Sequence, residues 1–452
     1  MKLVSFFSGC GGLDLGFEQA GFDVVWANEF DSSILQTYRF NHPNTFLCGK
    51  DIRDVDVSEI PDCDGFIGGP PCQSWSTGGS KRGLNDSRGK VFLDYIRLIK
   101  GKKPKFFVIE NVAGIISDHH FVTFHGFLST LSEAGYKVQY AVLNTSHFGI
   151  SQERLRVIVV GIRNDLNCEF KFPVPDEKVK VTIKDAIGNI GVQPHPYLKG
   201  EKVETILDGL ANNDFYAGPF DKYYFERNRR RNWNEISYTI VASANVIPLH
   251  PNSPKMVRDD NIGWHFLEGE EGKYRRLSVR ECARLQSFPD DFVFFFNDIR
   301  DGYKMVGNAV PPKLAYLIAN EIKKAFIEDK ICSEKVSVLV GYFKNKEHLH
   351  EILKNKIYYV RTGFRKGAMQ ISPGTKQPNY LLLHHGHEKH LYELKDIETQ
   401  LRTSDYLKSL GFYPSGDMYL CFELKSGEEI NQPAQRIELE NGKEYYPYII
   451  GL

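Results

Sequence analysis

A chain of 452 residues, 42% hydrophobic and 25% charged, has the make-up of a globular protein of two or three domains, long enough to bury a core. Its 57 basic and 57 acidic side chains cancel, which excludes a generally basic nucleic-acid coat and leaves any basic surface local. The eight cysteines form no Cys-x-x-Cys pair, which argues against a zinc site or disulfide framework; with no leader-like start and no run of ~20 apolar residues, a cytoplasmic protein without a membrane partner is expected.

Short apolar runs alternate with helical stretches over residues 1–164. Strands are predicted at 3–7, 24–29, 65–69, 105–112, 138–144 and 155–162, with a helix over 13–21 ended by Gly21. Strands alternating with helices predict a parallel, doubly wound α/β sheet. From 165 to 272 the chain is rich in Pro, Asn and Gly, which predicts a small irregular domain. Helical spacing returns at 277–286 and 312–330. The stretch 331–452 has strand-like runs at 336–343, 357–360, 379–385 and 418–424, an appended α+β domain.

Several strings carry chemistry. FFSGCGGLDLGF (6–17) is a strand end, a glycine-rich turn and a helix start. Gly9, Gly11 and Gly12 let backbone N–H groups approach a ligand at the strand ends, where nucleotide-like cofactors lie. The spacing is not the dinucleotide G-x-G-x-x-G, so alone the turn reads equally as unliganded. Glu29 ends the second strand and suits a ribose diol, and Asp51-Ile52 follow the next strand region, where the acid suits an adenine amino group. Each acid alone also reads as a solvated loop carboxylate.

GGPPCQSWS (68–76) is the most specific string. Two glycines and two prolines fix Cys72 in a loop, and the glycine-rich, basic residues 77–90 suit a segment that closes on a polyanion. A lone cysteine is usually an inert core residue, but Pro-Pro before it is not a core pattern. IENV puts Glu110 at the end of a buried strand, where a carboxyl is suited to donate a proton. In QERLR, Gln152, Arg154 and Arg156 share a face if extended, and the arginines could bind phosphate or a base. YKMVGNAVPP (303–312) reads as a Gly-Asn turn closing over a cofactor.

The ordered set FSGCGG, ANEFD, DI, GGPPCQSWS, ENV, QERLR, RRLSVRECARLQSFP and GNAVPP, spanning about residues 1–330, resembles the bacterial cytosine-5 DNA methyltransferases, most closely the HaeIII-type GGCC enzymes. The resemblance implies a Rossmann-like S-adenosylmethionine-dependent domain (1–164 and 273–330), a target-recognition domain (165–272) and an accessory segment (331–452). It implies that Phe7, Gly9, Gly11, Gly12, Leu13, Phe30 and Pro71 line the S-adenosyl-L-methionine site. Glu29 would bind ribose, Asp51 and Ile52 adenine, and Asn308, Ala309 and Val310 would complete the site. Lys50 replaces a common glycine and is expected to alter the turn but not the adenine contact. Cys72 would be the nucleophile that adds to cytosine C6 and so activates C5, Glu110 the acid near N3, and Arg154 a base contact. The base must leave the duplex stack to be reached. A catalytically silent DNA-binding scaffold and the tRNA-methylating branch of the fold are the alternatives.

Duplex DNA is the implied partner, with a cognate restriction endonuclease acting on the same site and the enzyme a monomer. Gln152, Arg156, Arg227, Arg229, Arg231, Thr239 and Asn245 are the expected DNA contacts. Arginine is the usual reader of guanine, and Arg229 and Arg231 share a face if 227–231 is extended; a phosphate-binding stripe is the alternative. GGCC-type relatives carry Gly-Arg where this chain has Ala244-Asn245, so a short palindrome containing G·C pairs is expected without commitment to GGCC. In the tail, His384, His385, His387 and His390 read as a solvated strand end more readily than a metal site. Asp417, Glu423 and Lys425 faintly suggest a nuclease triad, and an accessory DNA- or partner-binding module is the favoured reading.

Overall fold

The computed structural model describes residues 1–71, 87–118, 120–166, 168–176, 178–197, 210–259, 263–333, 337–361, 378–385, 387–414, 418–430 and 448–451. It divides into two compact units, one of residues 1–166 with 172–321 and one of 167–171 with 322–452.

The first unit begins with β1 (Lys2–Phe6), α1 (Gly12–Gln19), β2 (Asp23–Asn28), α2 (Leu35–Asn41), β3 (Phe46–Cys48) and β4 (Gly65–Gly68). There follow α3 (Ser87–Lys102), β5 (Phe106–Val112), α4 (Phe121–Glu133), β6 (Tyr136–Asn144) and β7 (Leu155–Arg163). The strands form one sheet in the order β3-β2-β1-β4-β5-β7-β6. The first five strands run parallel, but β7 is antiparallel to both β5 and β6. This corrects the expectation of a wholly parallel sheet. Parallel neighbours need a long crossover, whereas β6 returns directly into β7 through residues 145–154 and so pairs antiparallel. Val157–Ile162 is buried throughout, so its apolar pattern carries no mark of direction. Phe6 packs edge-on against Phe66 with centroids 5.0 Å apart, and Trp26 and Tyr95 close the same cluster.

The irregular region holds α5 (Ile183–Ile187), β8 (His195–Tyr197) paired with β9 (Asp214–Tyr216), and β10 (Val257–Asp259) paired with β11 (Gly263–His265). With so little ladder, backbone carbonyls need other donors. Buried arginines supply them. Arg276 donates to the carbonyls of Tyr216, Gly218 and Pro219 and stacks over the Phe220 ring at 3.9 Å. Arg280 donates to the carbonyls of Ala211, Pro289 and Phe292.

Helices α6 (Val279–Leu285), α7 (Ile299–Asn308) and α8 (Pro312–Ser333) follow. A Ser278/Glu281 capping box starts α6. The expected tight turn at Gly307-Asn308 is instead the end of α7. A Cβ on Gly307 would lie 2.3 Å from the backbone of Val241 and Ala242, so this glycine serves close packing rather than a turn.

The second unit contains β12 (Ser337–Tyr342), α9 (Lys346–Asn355), β13 (Ile357–Arg361), β14 (Tyr380–His385), β15 (Glu388–Glu393), β16 (Gln400–Thr403), α10 (Ser404–Ser409), β17 (Met418–Glu423) and β18 (Tyr448–Gly451). The strands make a mixed sheet β15-β14-β12-β18 and an antiparallel sheet β13-β17-β16. Leu339, Leu381, Leu383, Leu420 and Phe422 belong to a core of its own.

Candidate active site

The carboxyl ends of β1, β2, β4 and β5 face a cavity of about 280 Å³, at the switch in strand order where ligands bind open α/β sheets. The expected residues Phe7, Gly9, Gly12, Leu13, Glu29, Phe30, Pro71, Asn308, Ala309 and Val310 all line it, together with Glu110 and Arg156. The turn after β1 is left-handed at Phe7 (φ 51°), Gly9 (φ 56°) and Gly11 (φ 93°), conformations that glycine adopts freely. A Cβ on Gly12 would sit 2.5 Å from the Val310 carbonyl oxygen, so glycine there lets the segment after α7 close on the start of α1. Gly9 N–H donates to Glu29 Oε2 at 3.0 Å and Asp31 N–H to Oε1 at 2.8 Å. Burial raises the pKa of Glu29 above the usual carboxylate range. Phe30 stays 65% exposed, an aromatic face at the cavity rim.

Gly11, Asp51 and Ile52 are not among the residues lining this cavity. A Cβ on Gly11 would lie 2.0 Å from the His42 imidazole. Asp51 caps the turn Ile52–Asp54 and is held by the Arg53 guanidinium at 2.6 and 2.9 Å, which keeps its pKa below the ordinary value. Ile52 is buried in the core beside β3 and does not reach the cavity.

Cys72 and the segment 72–86 lie outside the described residues. The loop leading to Cys72 is anchored where it starts, because buried Asn111 donates to the Pro70 carbonyl at 3.2 Å. Sequence reasoning overlooked Asn111, although it stood in the ENV string. Lys304 was also missed. It lines the cavity and pairs with Asp31, and no local pattern marks it.

Glu110, 7% exposed, meets Arg156 Nε at 2.8 Å through Oε1. The contact is an ion pair by distance but lacks hydrogen-bond alignment. Gly69 lies beside this carboxylate, its would-be Cβ at contact distance (3.4 Å) from Glu110 Oε2. Arg154 and Arg156 have different surroundings. Arg154 is 1% exposed and donates to the carbonyls of Ile240 (3.0 Å), Gly307 (2.9 Å) and Ala309 (2.9 Å). It ties its own segment to two others and also lines the cavity.

The expected DNA contacts differ in exposure, with two of the seven buried. Gln152 is fully buried and accepts from Ile240 N–H. Arg229, 5% exposed, donates to the Tyr223 and Tyr224 carbonyls. Arg231 is partly buried, pairs with Glu153 and Glu235 at 3.2 Å each and covers the Tyr238 ring. Thr239 donates to the Glu153 carbonyl. Arg227 and the Asn245 side chain are exposed and make no described side-chain hydrogen bond. In the second unit, Glu423 pairs with Lys395 at 2.8 Å and Lys425 with Glu393 at 3.0 Å, while Asp417 lies outside the described residues. His390 lies between Glu388 and Glu429, His384 is buried, and no metal-binding cluster occurs among the described residues. Nor is any described helix long and apolar enough to cross a membrane.

Residues 1–324 match the family model of the C-5 cytosine-specific DNA methylases. Type II methyltransferase M.NgoPII of Neisseria gonorrhoeae is 45% identical over 328 residues, 72% of this chain and 96% of its own. M.FnuDI of Fusobacterium nucleatum is 46% identical over 74% of this chain and 98% of its own. M.MthTI of Methanothermobacter thermautotrophicus is 47% identical over 72% and 97%. Among solved structures, the Entamoeba histolytica methyltransferase EhMeth matches with a TM-score of 0.52 at 16% identity, over 73% of this chain and 98% of its own, a likeness of fold. The chain belongs to the C-5 cytosine-specific DNA methylase family. It is a DNA (cytosine-5-)-methyltransferase.

Proposed function

We propose that the cavity binds S-adenosyl-L-methionine and that the Glu110–Arg156 pair receives a cytosine turned out of a short duplex site containing G·C pairs. The convergence of Glu29, Glu110, Arg156 and residues 308–310 on one cavity carries this reading. The lining fits a nucleoside with a charged tail. Phe7, Leu13 and Phe30 offer apolar faces, Glu29 a fixed carboxylate for vicinal hydroxyls, and Gly9 an approach where a Cβ would meet nothing within 4 Å. Bound there, the cofactor supplies an electrophilic methyl group.

The chain's own residues prepare the base. Cys72 Sγ adds to C6, and C5 gains enamine character. The Glu110 carboxyl faces N3, where charge develops, and Arg156, beside it, is placed to meet a base carbonyl. Once C5 carries the methyl group, its proton passes to water, the electron pair of that bond restores the C5–C6 double bond, and the C6–S bond breaks to free the Cys72 thiolate. Asn111 keeps the Pro70-Pro71 loop in place for the attack. Arg227 and Asn245 are the expected DNA contacts left open to solvent, and the tail is an accessory DNA- or partner-binding module. The Type II relatives support a modification enzyme that protects host DNA from a cognate endonuclease.

The test is Cys72→Ala. Methyl transfer to duplex DNA should vanish while S-adenosylhomocysteine binding persists. Full activity in this variant would end the covalent reading, and activity on tRNA alone would end the duplex one.

A further inference from the structure

The cofactor turn rests on a buried polar chain that the reaction does not use. Asp14 of α1 is fully buried and accepts from Ser5 Oγ at 2.7 Å and Tyr38 Oη at 2.5 Å. The Tyr38 ring stacks on His42 with centroids 4.5 Å apart. His42, 2% exposed, follows α2 and meets Glu18 Oε2 through Nδ1 at 2.9 Å. Its Nε2 faces Gly11, whose would-be Cβ would lie 2.0 Å away. That nitrogen is buried without an aligned hydrogen-bond partner, although the Gly11 backbone is near enough to favour a charged ring. The groups facing His42 are Glu18 and Asp14 from α1, Tyr38 from α2, the Phe292 ring and the Gly11 backbone.

A neutral imidazole has one N–H. Placed on Nδ1, it serves Glu18 and leaves a lone pair toward the turn; placed on Nε2, it leaves a lone pair against the Glu18 carboxylate. Only the imidazolium can donate on both sides. Burial opposes the charge, but Glu18 and Asp14 outweigh it and raise the His42 pKa above its ordinary value.

We propose that His42 is a positioning residue for the cofactor: its charged ring, held by Glu18, packs against the Gly11 backbone and keeps the turn in the shape that grips the ligand. This rests on the reading of the cavity as the S-adenosylmethionine site. Cofactor affinity is then highest with His42 charged and falls as pH rises through its pKa.

The experiment is calorimetric titration of the full chain with S-adenosylhomocysteine from about pH 6 to about pH 9, for the unmodified protein, His42→Gln and Glu18→Gln. The Kd of the unmodified protein should rise roughly 5- to 10-fold across the range beyond any change seen in His42→Gln, which carries the ligand's own titration. His42→Gln should bind at the weak limit throughout, and Glu18→Gln should move the midpoint to lower pH. A flat profile in the unmodified protein, or one on which both variants superimpose, overturns the proposal while leaving the cofactor reading intact. No binding by the unmodified protein at any pH overturns both.

Discussion

One substitution made at two neighbouring positions separates the roles of Arg154 and Arg156. Lysine keeps the charge but not the planar fork of donors. At Arg154 the fork reaches three carbonyls on two segments, at 2.9 to 3.0 Å, from a site 1% exposed. An ammonium on a single stem cannot meet them all. Hydrogen bonds to charged groups are worth roughly 1.5–3 kcal/mol each. With two lost and some relaxation, Arg154→Lys should cost about 3 kcal/mol, seen as a melting temperature lower by roughly 5–10 °C. At Arg156 the charge stays beside Glu110 and the guanidinium's described hydrogen bonds reach one carbonyl, that of Leu155, so Arg156→Lys should cost less, about 1 kcal/mol. Its loss should appear in turnover, where removing a preorganised donor costs on the order of 10²-fold. Urea unfolding and methyl transfer, measured on both proteins, decide the matter. If Arg154→Lys is as stable as the unmodified protein yet inactive, Arg154 touches the base and the reasoning fails. If Arg156→Lys is the unstable one, the two roles are reversed.

Other outcomes follow from the same geometry. Burial pushes the His250 pKa down from 6.5 to about 4, so the unfolded chain binds the proton first on acidification. Stability should be full above pH 6.5 and fall by up to about 3 kcal/mol on descent to pH 4. His250→Asn should flatten that limb in denaturant titrations, and an unchanged slope would remove His250 as its source. A chain ending near residue 330 should stay folded and bind S-adenosylhomocysteine, because the tail has its own core; insolubility would make the tail part of the catalytic fold. Arg227→Ala should cost roughly 1–3 kcal/mol in DNA binding and relax choice at one base pair if it reads guanine. Equal weakening on every sequence would make it a phosphate contact.

The catalytic half was legible because its signals are local. Glycines at left-handed positions and apolar runs ending in Asn28, Gly68 and Glu110 mark the strand ends, and strand ends locate the cavity. Strand direction was not legible, because Val157–Ile162 is apolar on both faces. In QERLR the pleat begins only with β7 at Leu155, so Arg154 precedes it, yet Arg154 and Arg156 both line the cavity. His42 gave no signal at all, since its importance comes from lying under Gly11, which is distant in sequence.

The arginines of the irregular region and of the segment after it show how composition misleads where regular structure is scarce. Arg229 and Arg227 are two residues apart, yet one is buried and the other exposed. In a strand they would share a face, but this stretch has only an isolated bridge between Arg230 and Leu249. A backbone with few ladder bonds must still satisfy its carbonyls, and the guanidinium, with five donors in one plane, is suited to do so. Arg229, Arg230, Arg276 and Arg280 each bind at least two carbonyls. In the run 227–231, Arg229 and Arg230 therefore serve the backbone around them, while Arg227 stays exposed.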